Sequence, residues 1–303
     1  MSKNERTIIK RPARSKAMPY LLPAAVIMAV MLGFPIVYNL VLSFMKWAIK
    51  DPTHPYIGLE NYLNVLTDSN FLKVLLTTVL WTVAGVVLQM VIGIGLALFT
   101  ENLTRGKKLM RIMILIPWII PGVVTALMWK WLLQSDVGLI NYILMASGIA
   151  EKNTLFLSSP DLAIVTLILV NTWKATPFWF LMITAGLQSK PLDQIEAARL
   201  DGANAFQVLK NVTLPHLSPV IASTGVLTTI WTLNYFDLIW VVTKGGPVNA
   251  TTTLPIFIYR EAFEFNDFGA SAACAMISFV IVTLISVPYI KKMFNNLKYE
   301  GVL

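Results

Sequence analysis

The sequence predicts an all-α integral membrane fold with six transmembrane helices, and three observations carry that prediction. Apolar residues make up 56% of the 303 and charged residues only 13%, against about 25% charged in a soluble domain. Six segments supply the ~20 apolar residues that a helix needs to cross the hydrocarbon core. Lys and Arg also gather at alternate segment ends, as they do in the cytoplasmic loops of membrane proteins.

The spans fall at about 19–44, 71–100, 112–133, 162–187, 217–243 and 270–290. The first follows a basic stretch, but its apolar run is nearly twice the ~7–15 residues of a cleaved leader, so a permanent span suits it better. Residues 137–150 amount to half a crossing and read as a helix lying at the surface. The domain plan is a basic tail (1–18), a single transmembrane domain (19–290) enclosing a polar loop (188–216), and a second tail (291–303).

Orientation follows from the basic residues. Sixteen lie on one side: Lys3 to Lys16 in the first tail, Arg105, Lys107, Lys108 and Arg111, then Lys190, Arg199 and Lys210, and finally Lys291, Lys292 and Lys298. The opposite loops hold five, Lys46, Lys50, Lys152, Lys244 and Arg260. Both termini and the 188–216 loop are therefore expected in the cytoplasm. The net charge of +8 is accounted for by topology, so no nucleic-acid partner is implied. A lone Cys274 excludes an intrachain disulfide, and His54 and His216 are too far apart in sequence to suggest a metal site.

The 188–216 loop is polar where its neighbours are oily. Ile195, Ala198, Gly202, Ala205, Phe206, Leu209 and Val212 recur at helical spacing and form one apolar face. Glu196, Arg199, Asp201 and Lys210 lie mostly off it. Pro191 suits a first helical turn. Gly202 is a weak point at which two short helices can meet at an angle. An amphipathic connector resting on lipid headgroups is one reading. The acids on the polar face favour a protein partner instead, because headgroup-bound helices are richer in Lys and Arg there.

The order Glu196-Ala197-Ala198, Asp201-Gly202-Ala203, Leu214-Pro215 and Pro219 resembles the EAA loop of binding-protein-dependent ABC importer permeases. Ile57-Gly-Leu-Glu-Asn-Tyr62, Asn171-Thr-Trp173 with Pro177, and Gly245-Gly-Pro247 with Tyr259-Arg260 extend the resemblance along almost the whole chain. It points to the carbohydrate-uptake branch, and within it to the F-type maltose-permease subunit. The resemblance implies a type I ABC importer transmembrane domain in the bacterial inner membrane, with the loop as a cytoplasmic coupling helix. Glu196, Ala197, Ala198, Asp201 and Gly202 would contact a separate ATPase. The implied partners are two ATPase copies, a second, G-type permease chain, an extracytoplasmic binding protein and a sugar. ATP and Mg²⁺ would be bound by the ATPase and no cofactor by this chain, which has no G-x-x-x-x-G-K-[ST] loop of its own.

Lys174 lies deep in the fourth span, where a charge is costly. It either snorkels, pairs with Asp237, or donates to a sugar hydroxyl. Thr228, Thr232 and Tyr235, at i, i+4 and i+7, share a helical face; interhelical hydrogen bonding is the ordinary use of such Thr residues. By the resemblance these positions, with Phe178, are where a sugar would sit, and Asn234 is a weaker candidate a third of a turn away. Trp118, Trp129 and Trp131 read as interfacial anchors. A secondary transporter or channel for a small polar solute is the competing function, although it leaves the 188–216 loop unexplained.

Overall fold

The computed structural model describes residues 14–49 and 53–299. The basic stretch Lys3 to Arg11, with Lys50 and Pro52, lies outside the described residues. Helices dominate, and among the described residues extended pairing is limited to two isolated bridges, Met45 with Tyr56 and Ala48 with Asp267.

The first span is a helix, Arg14–Met28, a five-residue π-helical bulge, Ala29–Gly33, and a second helix, Phe34–Leu42. Its end is tied down by the Ile57–Tyr62 motif. Asn61 donates its amide to the carbonyls of Ser43 (3.0 Å) and Met45 (2.9 Å), and Tyr62 Oη lies 2.6 Å from Ser43 Oγ. That motif therefore closes a chain reversal whose backbone groups would otherwise be unpaired.

The second span, Ser69–Glu101, begins at Asp68, whose carboxylate caps it by accepting from the Asn70 N–H at 2.9 Å. It packs along the fourth span, Pro160–Gln188. Gly93 is at the closest approach: a Cβ there would stand 2.4 Å from Trp179 Cβ. Small residues let membrane helices come this near, and close packing is a principal force between them in lipid. Ala97, Trp179, Phe180, Ile183, Leu187 and Leu217 fill the seam on the side of the 188–216 loop, while Trp81, Leu167, Ile168, Leu238 and Ile239 fill it on the other.

The third span departs from the expected single crossing over 112–133. It is two helices, Lys107–Ile119 and Gly122–Leu132, bent by 95°. Pro121 explains the break. It pushes the preceding residue out of the helical region, and Ile120 is extended (φ −67°, ψ 130°). Among the described residues five helices are long and apolar enough to cross a membrane, and the bent pair makes a sixth if it is taken as one span. The fifth span is also interrupted. Its main helix, Leu214–Leu233, stops at Asn234, and a short helix, Asp237–Val242, follows. The sixth helix, Phe268–Tyr299, runs past the expected end at 290. Within 137–150 a short helix forms over Leu139–Ala146.

Candidate functional site

Both breaks face one cleft between the second, third, fourth and fifth spans. Breaking a helix frees carbonyls that need donors. At the third-span bend, Ile120 O accepts from Lys174 Nζ at 2.6 Å. At the end of the main fifth-span helix, Thr232 O accepts from the buried Trp81 indole at 2.8 Å. The two interruptions are thus held open by side chains from the fourth and second spans.

The cleft encloses about 140 Å³, and Lys174, Phe178, Thr228, Thr232 and Tyr235 all line it. Asn234 does not. It caps the main fifth-span helix, with its amide donating to Ile230 O at 2.9 Å on an exposed surface. Of the alternatives open to Lys174, an ion pair with Asp237 is not formed among the described residues; the carbonyl of Ile120, just before Pro121, takes the ammonium. Asp237 opens the short helix and faces Gly122 beside Tyr235; a Cβ on Gly122 would stand 3.3 Å from Tyr235 Oη and 3.5 Å from an Asp237 carboxylate oxygen.

One wall of the cleft is aromatic. The Phe178 ring lies 4.8 Å from Trp231 and 6.0 Å from Trp118, centroid to centroid. Trp118 was expected to be an interfacial anchor. It borders the cleft and is still 47% exposed, and Trp129 is half-buried, edge-on to Trp173 at 5.4 Å. The other wall is polar. Gln89, Asn171 and Thr232 surround Gly85, and a Cβ there would lie 3.6–3.7 Å from all three. Gln89 is 0% exposed and neither end of its amide has a partner; the Asn171 amide nitrogen and Tyr235 Oη are also unpaired. Buried polar atoms are nearly always hydrogen-bonded, so four unpaired atoms at one cleft mark it as a place that receives polar groups.

Sequence reasoning did not reach Gln89, Asn171 or Trp231 as lining residues. For Gln89 a signal existed: it is the one amide side chain between Leu72 and Phe99, and a polar group at that depth needs a reason.

At the basic end of the molecule, the 188–216 loop forms two short helices, Leu192–Leu200 and Ala205–Val208. Gly202 lies between them with φ +87°, a left-handed conformation that glycine adopts without strain. Asn204 and Gln207 then form a reciprocal capping box, with bonds of 2.9 and 2.8 Å. Ile195 and Val208 are buried, while Glu196, Ala197, Asp201 and Gly202 are exposed and Ala198 half-buried. Phe206, expected on the apolar face, is instead 69% exposed, and Leu200 is 89% exposed. The turn at Gly202 explains the difference, because the second helix starts in a new phase. The loop is anchored by Glu101, at the end of the second span, which pairs with Lys107 at 2.9 Å and Lys190 at 3.2 Å.

Comparison with known proteins bears on both regions. Residues 89–295 match the family model described as "Binding-protein-dependent transport system inner membrane component". The chain is 38% identical to the probable ABC transporter permease protein y4oQ of Sinorhizobium fredii, over 91% of this chain and 89% of that protein. It is 33% identical to the trehalose/maltose transport system permease protein MalF of Thermococcus litoralis, over 89% and 91% of the two chains. The sulfoquinovosyl glycerol transport system permease protein SmoG of Agrobacterium fabrum is 31% identical, over 92% and 90%. Among solved structures, a chain of a bacterial ABC transporter involved in the import of the acidic polysaccharide alginate has a similar fold. Its TM-score is 0.78 at 21% identity, over 91% of this chain and 96% of that one.

Proposed function

Because the chain belongs to the family of binding-protein-dependent transport system inner membrane components, we propose that it is the permease subunit of an ATP-driven sugar importer. It lines half of the translocation path and takes its driving force from a separate ATPase. The observation that carries the reading is the cleft, which joins an aromatic wall to unpaired amide and hydroxyl groups. A pyranose offers the matching chemistry, with an apolar ring face that packs on aromatics and hydroxyls that both donate and accept. The sugars named for two relatives, trehalose/maltose and sulfoquinovosyl glycerol, support the same class.

At about 140 Å³ the cleft is smaller than the ~300–1,000 Å³ of a complete ligand site. A second permease chain, of G type, would supply the facing wall. The distribution of Lys and Arg supports cytoplasmic termini and a cytoplasmic 188–216 loop. An extracytoplasmic binding protein would deliver sugar to the opposite end.

In this reading the loop docks on one of two ATPase copies. Leu200 and Phe206 are the exposed apolar contacts, with Glu196 and Asp201 on the polar rim. Ala197, Ala198 and Gly202 leave the surface low enough for close approach. ATP and Mg²⁺ bind to the ATPase. ATP favours one of two states of the assembly, and the docked loop carries that preference to the spans as a population shift. The ion pairs of Glu101 join the loop to the second and third spans, and the two broken spans are where rigid pieces can swing.

The test is ATPase activity of the complex, reconstituted with a second permease, an ATPase and a binding protein. Stimulation by sugar-loaded binding protein is expected, and Glu196→Lys should lower ATPase recovery in the purified complex. Failure to assemble with an ATPase, from a well-folded membrane domain, would overturn the reading.

A further inference from the structure

Resting on that reading, we propose that the transported sugar carries an anionic group, a carboxylate or a sulfonate, and that Lys174 is the residue that receives it. Lys174 sits at the midpoint of Pro160–Gln188, about 21 Å from either end of that helix at 1.5 Å per residue. Its side chain is half-buried and opens on the cleft. Inside, its ammonium has three donors and a single acceptor, Ile120 O at 2.6 Å.

No carboxylate compensates it. The ion pairs among the described residues join Glu101 to Lys107 and Lys190, and Arg260 to Glu264, and leave Lys174 out. The lining of the cleft contains Lys174 and no Asp or Glu. An intramembrane cation is costly, this chain offers it no carboxylate partner, and an anion entering the cleft would supply one. A neutral sugar leaves it in place, and the neutral donors and acceptors of Gln89, Asn171 and Tyr235 already serve its hydroxyls. Lys rather than Arg suits a single charged terminus, because its ammonium is a mobile point charge and not a rigid fork.

The experiment is ATP-driven uptake into proteoliposomes by the complete complex with its binding protein. The probes are a glucuronate-terminated disaccharide, a sulfonated hexose glycoside and a neutral glucose disaccharide. The expected result is uptake of one anionic probe at least about tenfold above the neutral one, the size of one charge-assisted hydrogen bond. The two anionic arms distinguish carboxylate from sulfonate. Lys174→Met should lose that preference and Lys174→Arg should keep most of it. Preferred uptake of the neutral probe overturns the proposal and leaves the importer standing, as does equal anionic uptake by Lys174→Met. If no probe is carried and no loaded binding protein stimulates the ATPase, the importer reading falls as well. If Lys174→Met does not assemble, the selectivity of the unmodified complex decides alone.

Discussion

The first and fourth spans are both long enough to cross a bilayer, yet they are packed in opposite ways. The first, Pro19–Leu42, is the more apolar, and none of it is buried within the chain. The fourth, Pro160–Gln188, is the less apolar, and 61% of its most apolar window is buried. A soluble protein would rank them the other way. Lipid tails are as apolar as Leu, so hydrophobicity alone does not draw a helix inward; close contact and interhelical hydrogen bonds do. In the fourth span Asn171, Thr172, Thr176 and Thr184 are buried, whereas the Leu, Val and Met side chains of the first stay exposed. Polar and small residues mark the interior of the fourth span, and the candidate cleft lies among them.

The largest expected effect tests that contrast directly. Gly93→Ala should destabilise the chain by about 1–3 kcal/mol through overpacking, because its Cβ would meet Trp179 Cβ at 2.4 Å and Thr176 O at 3.3 Å. Gly33→Ala in the first span meets nothing within 4 Å and should gain up to ~1 kcal/mol from helix propensity. Thermal unfolding of the two purified variants compares them, and equal shifts would break the contrast. Gln89→Leu separates stability from function. It removes an amide that is buried with neither end paired, so stability should rise by roughly 1–3 kcal/mol. Sugar uptake should fall, because the polar wall loses its deepest group. A Gln89→Leu complex that is more stable and fully active would remove Gln89 from the site.

The six spans were legible because a crossing is a matter of run length, which a sequence states directly. The Gly202 turn was legible because only the local chain decides it. The bend at Ile120–Pro121 was hidden by apolar residues on both sides, although Pro121 announced it. Two further features depend on that bend. Asp237 is one of the partners the sequence leaves open to Lys174, but the acceptor found is a backbone carbonyl freed where the third span breaks. Trp118 borders the cleft because the third span breaks just after it. Phe206 shares an apolar face with the buried Ile195 only if one helical phase runs through the turn, and it does not. In each case the missing information was long-range, or was a change of direction that periodicity does not record.

Two smaller effects sharpen the comparison at its margins. Glu101→Gln removes a charge shared by Lys107 and Lys190, whose side chains are all about one-third exposed. Ion pairs in that setting contribute about 1 kcal/mol or less, so unfolding should move little. If the pairs do transmit motion from the loop, the sugar carried per ATP hydrolysed should drop while ATPase binding stays intact. An unchanged ratio would reduce Glu101 to an ordinary helix-end charge. The smallest effect is expected at Leu32→Ala in the first span, where the side chain is 58% exposed. For the isolated chain the change should lie within about 0.5 kcal/mol, as for any surface substitution. The same substitution in the assembled complex asks what that face is for. An unchanged complex assigns it to lipid. A loss of assembly with an unchanged isolated chain assigns it to the second permease, since the two environments differ there only in the presence of a packed neighbour.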